Sequence, residues 1–214
     1  MYHVLNRANA RRTIFETHAD FLAFEDILAE VQGRLPMRIF AWCVMPNHWH
    51  LVLWPREDGD LSRFMRLVTL IHTQRWHGHR KTAGTGHLYQ GRFKSFAVQS
   101  DAHFLTVCRY VEANALRAGL VRRAEDWRWS SLARTLRGYN DAPQIEPWPL
   151  PRPAAWLRQV NEAGSAKELE RLRSCAQRGT PLGDAAWTRK TAEGLGLACK
   201  LRSRGRPTRS EKGS

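Results

Sequence analysis

Two hydrophobic periods alternate along the chain, and the switches between them mark its elements. "YHVLNRA" (2–8) reads as a first short strand. Phe21, Phe24, Ile27, Leu28 and Val31 then recur at helical spacing behind Asp20, whose carboxylate suits an N-cap, and Gly33 ends that helix. "MRIFAWCVM" (37–45) is apolar enough for a central strand, Pro46-Asn47 turns the chain, and "HWHLVLW" (48–54) returns as a third strand. In "LSRFMRLVTLIHTQRW" (61–76), Phe64, Leu67, Val68 and Ile71 form one helical stripe, with Arg63, Arg66 and Arg75 off it. A Gly-rich loop (78–86) leads to "HLYQGRFKSFAVQS" (87–100), read as strand with irregular backbone around Gly91. Ser100 or Asp101 caps a helix to about Ala118, which Gly119 ends.

The order strand, helix, strand, strand, helix, strand, helix predicts an α+β domain over 1–142, with helices on an antiparallel, ferredoxin-like sheet. From Pro143 the composition changes. "PQIEPWPLPRP" (143–153) reads as a stiff Pro-rich linker, and 154–214 as a basic, mostly helical extension broken at Gly164. That extension is expected to add DNA contacts.

Charge narrows the function. The 214 residues hold 34 Lys+Arg against 20 Asp+Glu, a formal +14, and such an excess points to a polyanion partner, above all nucleic acid. A hydrophobic share of 43% supports a packed core and argues against wholesale disorder. "MYHVLNRANARR" turns polar before an apolar segment forms, and the longest apolar runs are strand-length, so neither a signal peptide nor a membrane span is expected. Cys43, Cys108, Cys175 and Cys199 lie far apart and read as reduced thiols, which points to the cytoplasm.

His48 and His50 flank Trp49 in a strand, so the two imidazoles share one face while Trp49 and Leu51 take the other. The pair can grip one metal ion, or it can be two polar residues on a solvated strand face. On the helix 101–118, Tyr110 and Asn114 are spaced i, i+4. An asparagine carbonyl added to two imidazoles would hold a divalent cation and leave room for a phosphate oxygen. Tyr110 would then sit beside that phosphate; a phenol, with a pKa near 10, attacks poorly unless a cation polarises the phosphorus. Core packing for Tyr110 and solvent exposure for Asn114 are the plainer readings.

"AWCVMPNHWHLVLWP", "GHLYQGRFKS" and "CRYVEANALRAGLV" together resemble the single-tyrosine HUH transposases, and within them the REP-associated branch, over roughly residues 1–135. The resemblance implies an HUH-type endonuclease fold. It matches His48 and His50 to the metal-binding pair, Tyr110 to the nucleophile and Asn114 to a third ligand. It implies Mg²⁺ or Mn²⁺, no small-molecule cofactor, and nicking and joining of single-stranded or hairpin DNA through a 5′-phosphotyrosine, by a monomer or homodimer. Where the family reads Asn-Pro-Val this chain has Asn114-Ala115-Leu116, and the missing proline predicts a straighter helix.

"YQGRFKSF" interleaves Tyr89, Arg92, Phe93, Lys94 and Phe96, as single-strand binding surfaces do; Arg92 and Lys94 are the expected DNA contacts, with Phe96 facing the core. Arg63 and Arg66 are further candidates. His72, His77 and His79 form a rival histidine cluster without a carboxylate or Cys partner. Arg204-Gly205-Arg206-Pro207 matches the core of an AT-hook, so Arg204 and Arg206 are candidate minor-groove contacts. A rival from another class is a DNA- or RNA-binding regulator that kept the fold and lost the chemistry. A hydrolytic metallonuclease would normally need carboxylate ligands, and none adjoins the histidine pair.

Overall fold

A computed structural model describes residues 1–138, 143–162 and 164–201. Four strands, β1 (Tyr2–Arg7), β2 (Arg38–Met45), β3 (His48–Trp54) and β4 (Lys94–Ala97), form one sheet in the order β2-β3-β1-β4. Every pair is antiparallel, so β3 lies between β1 and β2, and β1 between β3 and β4. This is the split β-α-β arrangement of the ferredoxin-like fold, as the element order predicts.

The alternation of the strands divides the core. Val4, Trp42, Val44, Trp49, Leu51 and Leu53 face one side, where α1 (His18–Arg34) and α2 (Asp60–Arg80) pack. Ala41, Cys43, Met45, Val52 and Phe96 face the other, under α3 (Ala102–Glu112). A bulge between Ile39 and Ala41 lets Phe40 and Ala41 both face that second side.

Several local expectations are corrected. Thr17 is the N-cap of α1, and Asp20 occupies the third position of the helix, closing a capping box. The helix runs past Gly33 to a cap at Leu35. Of the segment 87–100, only Lys94–Ala97 is strand; Tyr89 contributes a single bridge to Ala8. The helix expected over 101–118 divides at Ala113 into α3 and α4 (Asn114–Arg117). The Tyr110 carbonyl, which a continuous helix would give to the Asn114 N–H, instead accepts from the Arg117 guanidinium at 2.7 Å. The missing proline therefore leaves the break in place.

The Pro-rich stretch does not behave as a spacer. Glu146 N–H donates to the Ile39 carbonyl at 2.8 Å and Trp148 Nε1 to that of Phe40 at 3.0 Å, which docks the stretch on the free edge of β2. After α5 (Ser131–Arg137), the helices α6 (Trp156–Asn161) and α7 (Ala166–Arg178) add Trp156, Val160, Leu172 and Cys175 to the second core cluster. Buried Glu112 accepts from Ser131 Oγ (2.8 Å) and Trp156 Nε1 (2.7 Å), which ties α3 to α5 and α6. Two further helices, α8 (Ala185–Gly194) and α9 (Ala198–Leu201), follow. Among the described residues no helix is long and apolar enough to cross a membrane. Arg204 and Arg206 lie outside the described residues.

Candidate active site

The strand pair that carries the histidines also carries their supports. Asn47, in the turn before β3, donates from Nδ2 to the Arg11 carbonyl at 3.0 Å, which orients its amide. Its Oδ1 then faces His48 Nδ1 at 2.6 Å. An amide oxygen only accepts, so His48 carries its proton on Nδ1 and keeps a lone pair on Nε2. His50 Nδ1 lies 2.9 Å from Nε2 of His3 on β1. The His48 and His50 rings meet at 5.0 Å, nearly perpendicular, and the Tyr110 ring stands edge-on to His50 at 5.8 Å.

Burial, with Arg7 adding to it, pushes His48 down to about 4. Burial also holds His50 well below its ordinary value, helped by His3, His48, Arg117 and Arg7. Both rings are therefore neutral at neutral pH, the state in which imidazole binds a metal. Two neutral imidazoles with both Nδ1 atoms engaged are a donor set that fits a divalent cation through Nε2. Among the described residues no group of three His, Cys, Asp or Glu side chains is placed to hold one.

His48, His50, Tyr110 and Asn114 line one cavity of about 490 Å³. Asn114 arrives there otherwise engaged. Its Oδ1 accepts from Arg117 at 2.6 Å, while its Nδ2 is buried without a partner. Turning the amide over would set two donors face to face, so the carbonyl belongs to Arg117. The same guanidinium lies over the Tyr110 ring at 4.1 Å.

Arg92 and Lys94 line the cavity too, together with Arg7, Arg117 and Arg173, and no carboxylate is among its lining residues. Five cations without a counter-charge describe a site for a polyanion. Arg66 lines an adjoining cleft of about 820 Å³ that shares Gln90, Gly91 and Arg92 with the cavity. Arg63 is spent on Asp60 at 2.7 Å and lines neither. Tyr89 and Phe96 are buried, so they offer no stacking platform: the Tyr89 hydroxyl accepts from Trp49 Nε1 and donates to His72 Nδ1. That bond, and one between His77 and Thr82, account for two of the three rival histidines.

Sequence reasoning missed His3, Arg7, Arg117 and Arg173. Period two from Leu5 would have placed His3 and Arg7 on one face, but only the register with β3 makes that face the one His50 occupies. Arg173 comes from α7, which no local signal connects to Tyr110.

Residues 1–114 match the family model described as "Transposase IS200 like". The chain belongs to this family. Among curated members, this IS200-like transposase resembles the REP-associated tyrosine transposase of Escherichia coli (strain K12), at 25% identity over 135 residues, 62% of this chain and 76% of the relative. It also resembles the putative REP-associated tyrosine transposase of Haemophilus influenzae, at 23% identity over 122 residues, 53% of this chain and 69% of the relative. A solved REP-associated tyrosine transposase bound to a REP hairpin superposes with a TM-score of 0.51 at 23% identity, over 68% of this chain and 84% of that one. That likeness is one of fold.

Proposed function

We propose that the protein nicks and rejoins single-stranded DNA by transesterification at Tyr110, on hairpin DNA of the REP kind that its relatives are named for. One observation carries the reading: Tyr110 and two imidazoles, each engaged at Nδ1, meet in a cavity whose charged lining residues are all cations. A divalent cation, Mg²⁺ or Mn²⁺, held by His48 and His50, would polarise the scissile phosphate and offset its growing charge. Tyr110 Oη attacks phosphorus; the new O–P bond forms as the bond to the 3′ oxygen breaks. The phenolic proton passes to solvent, and the departing 3′ oxygen takes a proton from solvent and leaves as a free hydroxyl. Attack by a 3′-hydroxyl on the phosphotyrosine reverses these steps and joins strands. Arg92 and Lys94 hold flanking phosphates, and Arg117 lies where it can meet the phosphate beside Tyr110. Asn114 serves as third ligand once Arg117 releases its carbonyl. His48, His50 and Tyr110 line one cavity of a single chain, so the chemistry requires no second copy, and the protein acts as a monomer or homodimer.

One observation favours a non-catalytic DNA- or RNA-binding regulator on the same fold: Arg117 already occupies the Asn114 carbonyl. The deciding experiment incubates the protein with a labelled single-stranded hairpin and Mn²⁺ and looks for an SDS-stable adduct. The adduct is expected in the wild type and absent in Tyr110→Phe, which keeps the ring under Arg117, and in excess EDTA. A wild type that binds the hairpin without ever forming an adduct favours the regulator.

A further inference from the structure

We infer that His3 is a positioning residue for the metal centre: it accepts the proton that His50 must turn away from the cavity, and so holds His50 ready to bind through Nε2. The inference rests on the metal reading above. His3 sits opposite Val52 while Leu5 sits opposite His50, so His3 and His50 are diagonal neighbours on one sheet face. Their ring centroids lie 5.1 Å apart with 16° between planes, so the rings meet edge to edge through the two nitrogens, and His3 is 1% exposed.

The two histidines of the pair are supported differently. Asn47 Oδ1 behind His48 can only accept, so His48 is preset in every state. An imidazole nitrogen behind His50 can give or take a proton, so the neutral pair has two arrangements. In one, His3 Nε2–H donates to His50 Nδ1, and the proton of His50 on Nε2 blocks the metal-facing lone pair. In the other, His50 Nδ1–H donates to His3 Nε2, the proton of His3 lies on its Nδ1, and His50 Nε2 is free. Both arrangements hold the same number of protons, so a cation entering the site selects between them without releasing one.

The second arrangement leaves an N–H on His3 Nδ1, a buried atom that has no partner. That atom is the unexplained feature of the pair. A ring wanted only for packing between Phe96, at 4.9 Å, and Tyr110, at 6.0 Å, would be a phenyl group and would carry no orphaned nitrogen. What the imidazole adds is an acceptor for His50.

The test is Mn²⁺ binding to the full-length protein without DNA, followed by the loss of the free-ion EPR signal. His3→Phe keeps the ring and removes the acceptor, and is expected to weaken Mn²⁺ binding by roughly ten- to a hundredfold. His3→Gln, whose side-chain carbonyl reaches the place of Nε2, is expected to restore most of that loss. Equal affinity in His3→Phe and the wild type overturns the inference, as does a His3→Gln variant no better than His3→Phe. Nitrogen-15 shifts of the wild type need no variant to fold: with Mg²⁺ bound, His50 must be protonated on Nδ1, and protonation on Nε2 overturns the inference. A wild type that binds no Mn²⁺ overturns the metal reading itself, and this inference with it.

Discussion

Asn47 turns the chain by residue type and aims His48 by geometry. Its amide bridges the Arg11 carbonyl and His48 Nδ1, so one side chain fixes both the entry to β3 and the tautomer of the first imidazole. Asn47→Leu should weaken Mn²⁺ binding by roughly ten- to a hundredfold, as loss of an outer-shell partner commonly does. Unchanged affinity in a calorimetric titration would assign the orientation of His48 to packing instead. Arg117 has the opposite duty, since it occupies the carbonyl that a cation would want. Arg117→Met should leave Mn²⁺ affinity without DNA equal or higher and weaken hairpin binding about tenfold, the worth of one charge-assisted phosphate contact. A variant that binds the hairpin as tightly as the wild type would take Arg117 off the phosphate path. At this scale, the residues legible in the sequence were those whose chemistry is local, His48, His50, Tyr110 and Asn114. His3 and Arg117 act through hydrogen bonds that only the strand register and the helix break create.

The elements were more legible than their ends. Apolar periodicity located α1, α2 and the three long strands because burial on one face imposes it. Their boundaries depend on hydrogen bonds that periodicity does not report, such as the Thr17–Asp20 capping box and the guanidinium that takes the Tyr110 carbonyl. On α2, His72 is buried and accepts from Tyr89, and burial, against the pull of Asp20, pushes it down to about 3. Its unfolded value is near 6.5, so between these values the unfolded chain takes up a proton that the folded one refuses. Stability attributable to His72 is complete above pH 6.5 and is lost as the pH falls, by about 2 kcal/mol between pH 7 and pH 5. Urea unfolding at the two pH values should show a smaller acid loss for His72→Asn than for the wild type. Equal losses would mean that the histidine is not refused its proton in the folded state.

The whole molecule closes around the segment that follows Pro143. Trp156 donates to buried Glu112, and Trp148 docks on the edge of β2, so truncation before residue 143 should unfold the protein rather than trim it. Truncation after Leu201 retains every strand and helix described above. It removes five Lys/Arg (Arg202, Arg204, Arg206, Arg209, Lys212) and one acid, Glu211. If these cations meet phosphates, the slope of log affinity against log salt should flatten by roughly 0.7 to 0.9 for each phosphate no longer neutralised, with adduct formation on a short oligonucleotide retained. An unchanged slope would leave the tail without a DNA role. The family match ends at Asn114, yet Arg173, Ala176 and Gln177 of α7 form part of the wall around Tyr110. A chimera joined at the Pro-rich stretch would therefore take these three lining residues from another transposase, and with them a different fit to the strand being cut. Grafts of new targeting modules belong after Leu201, where the junction leaves that wall whole.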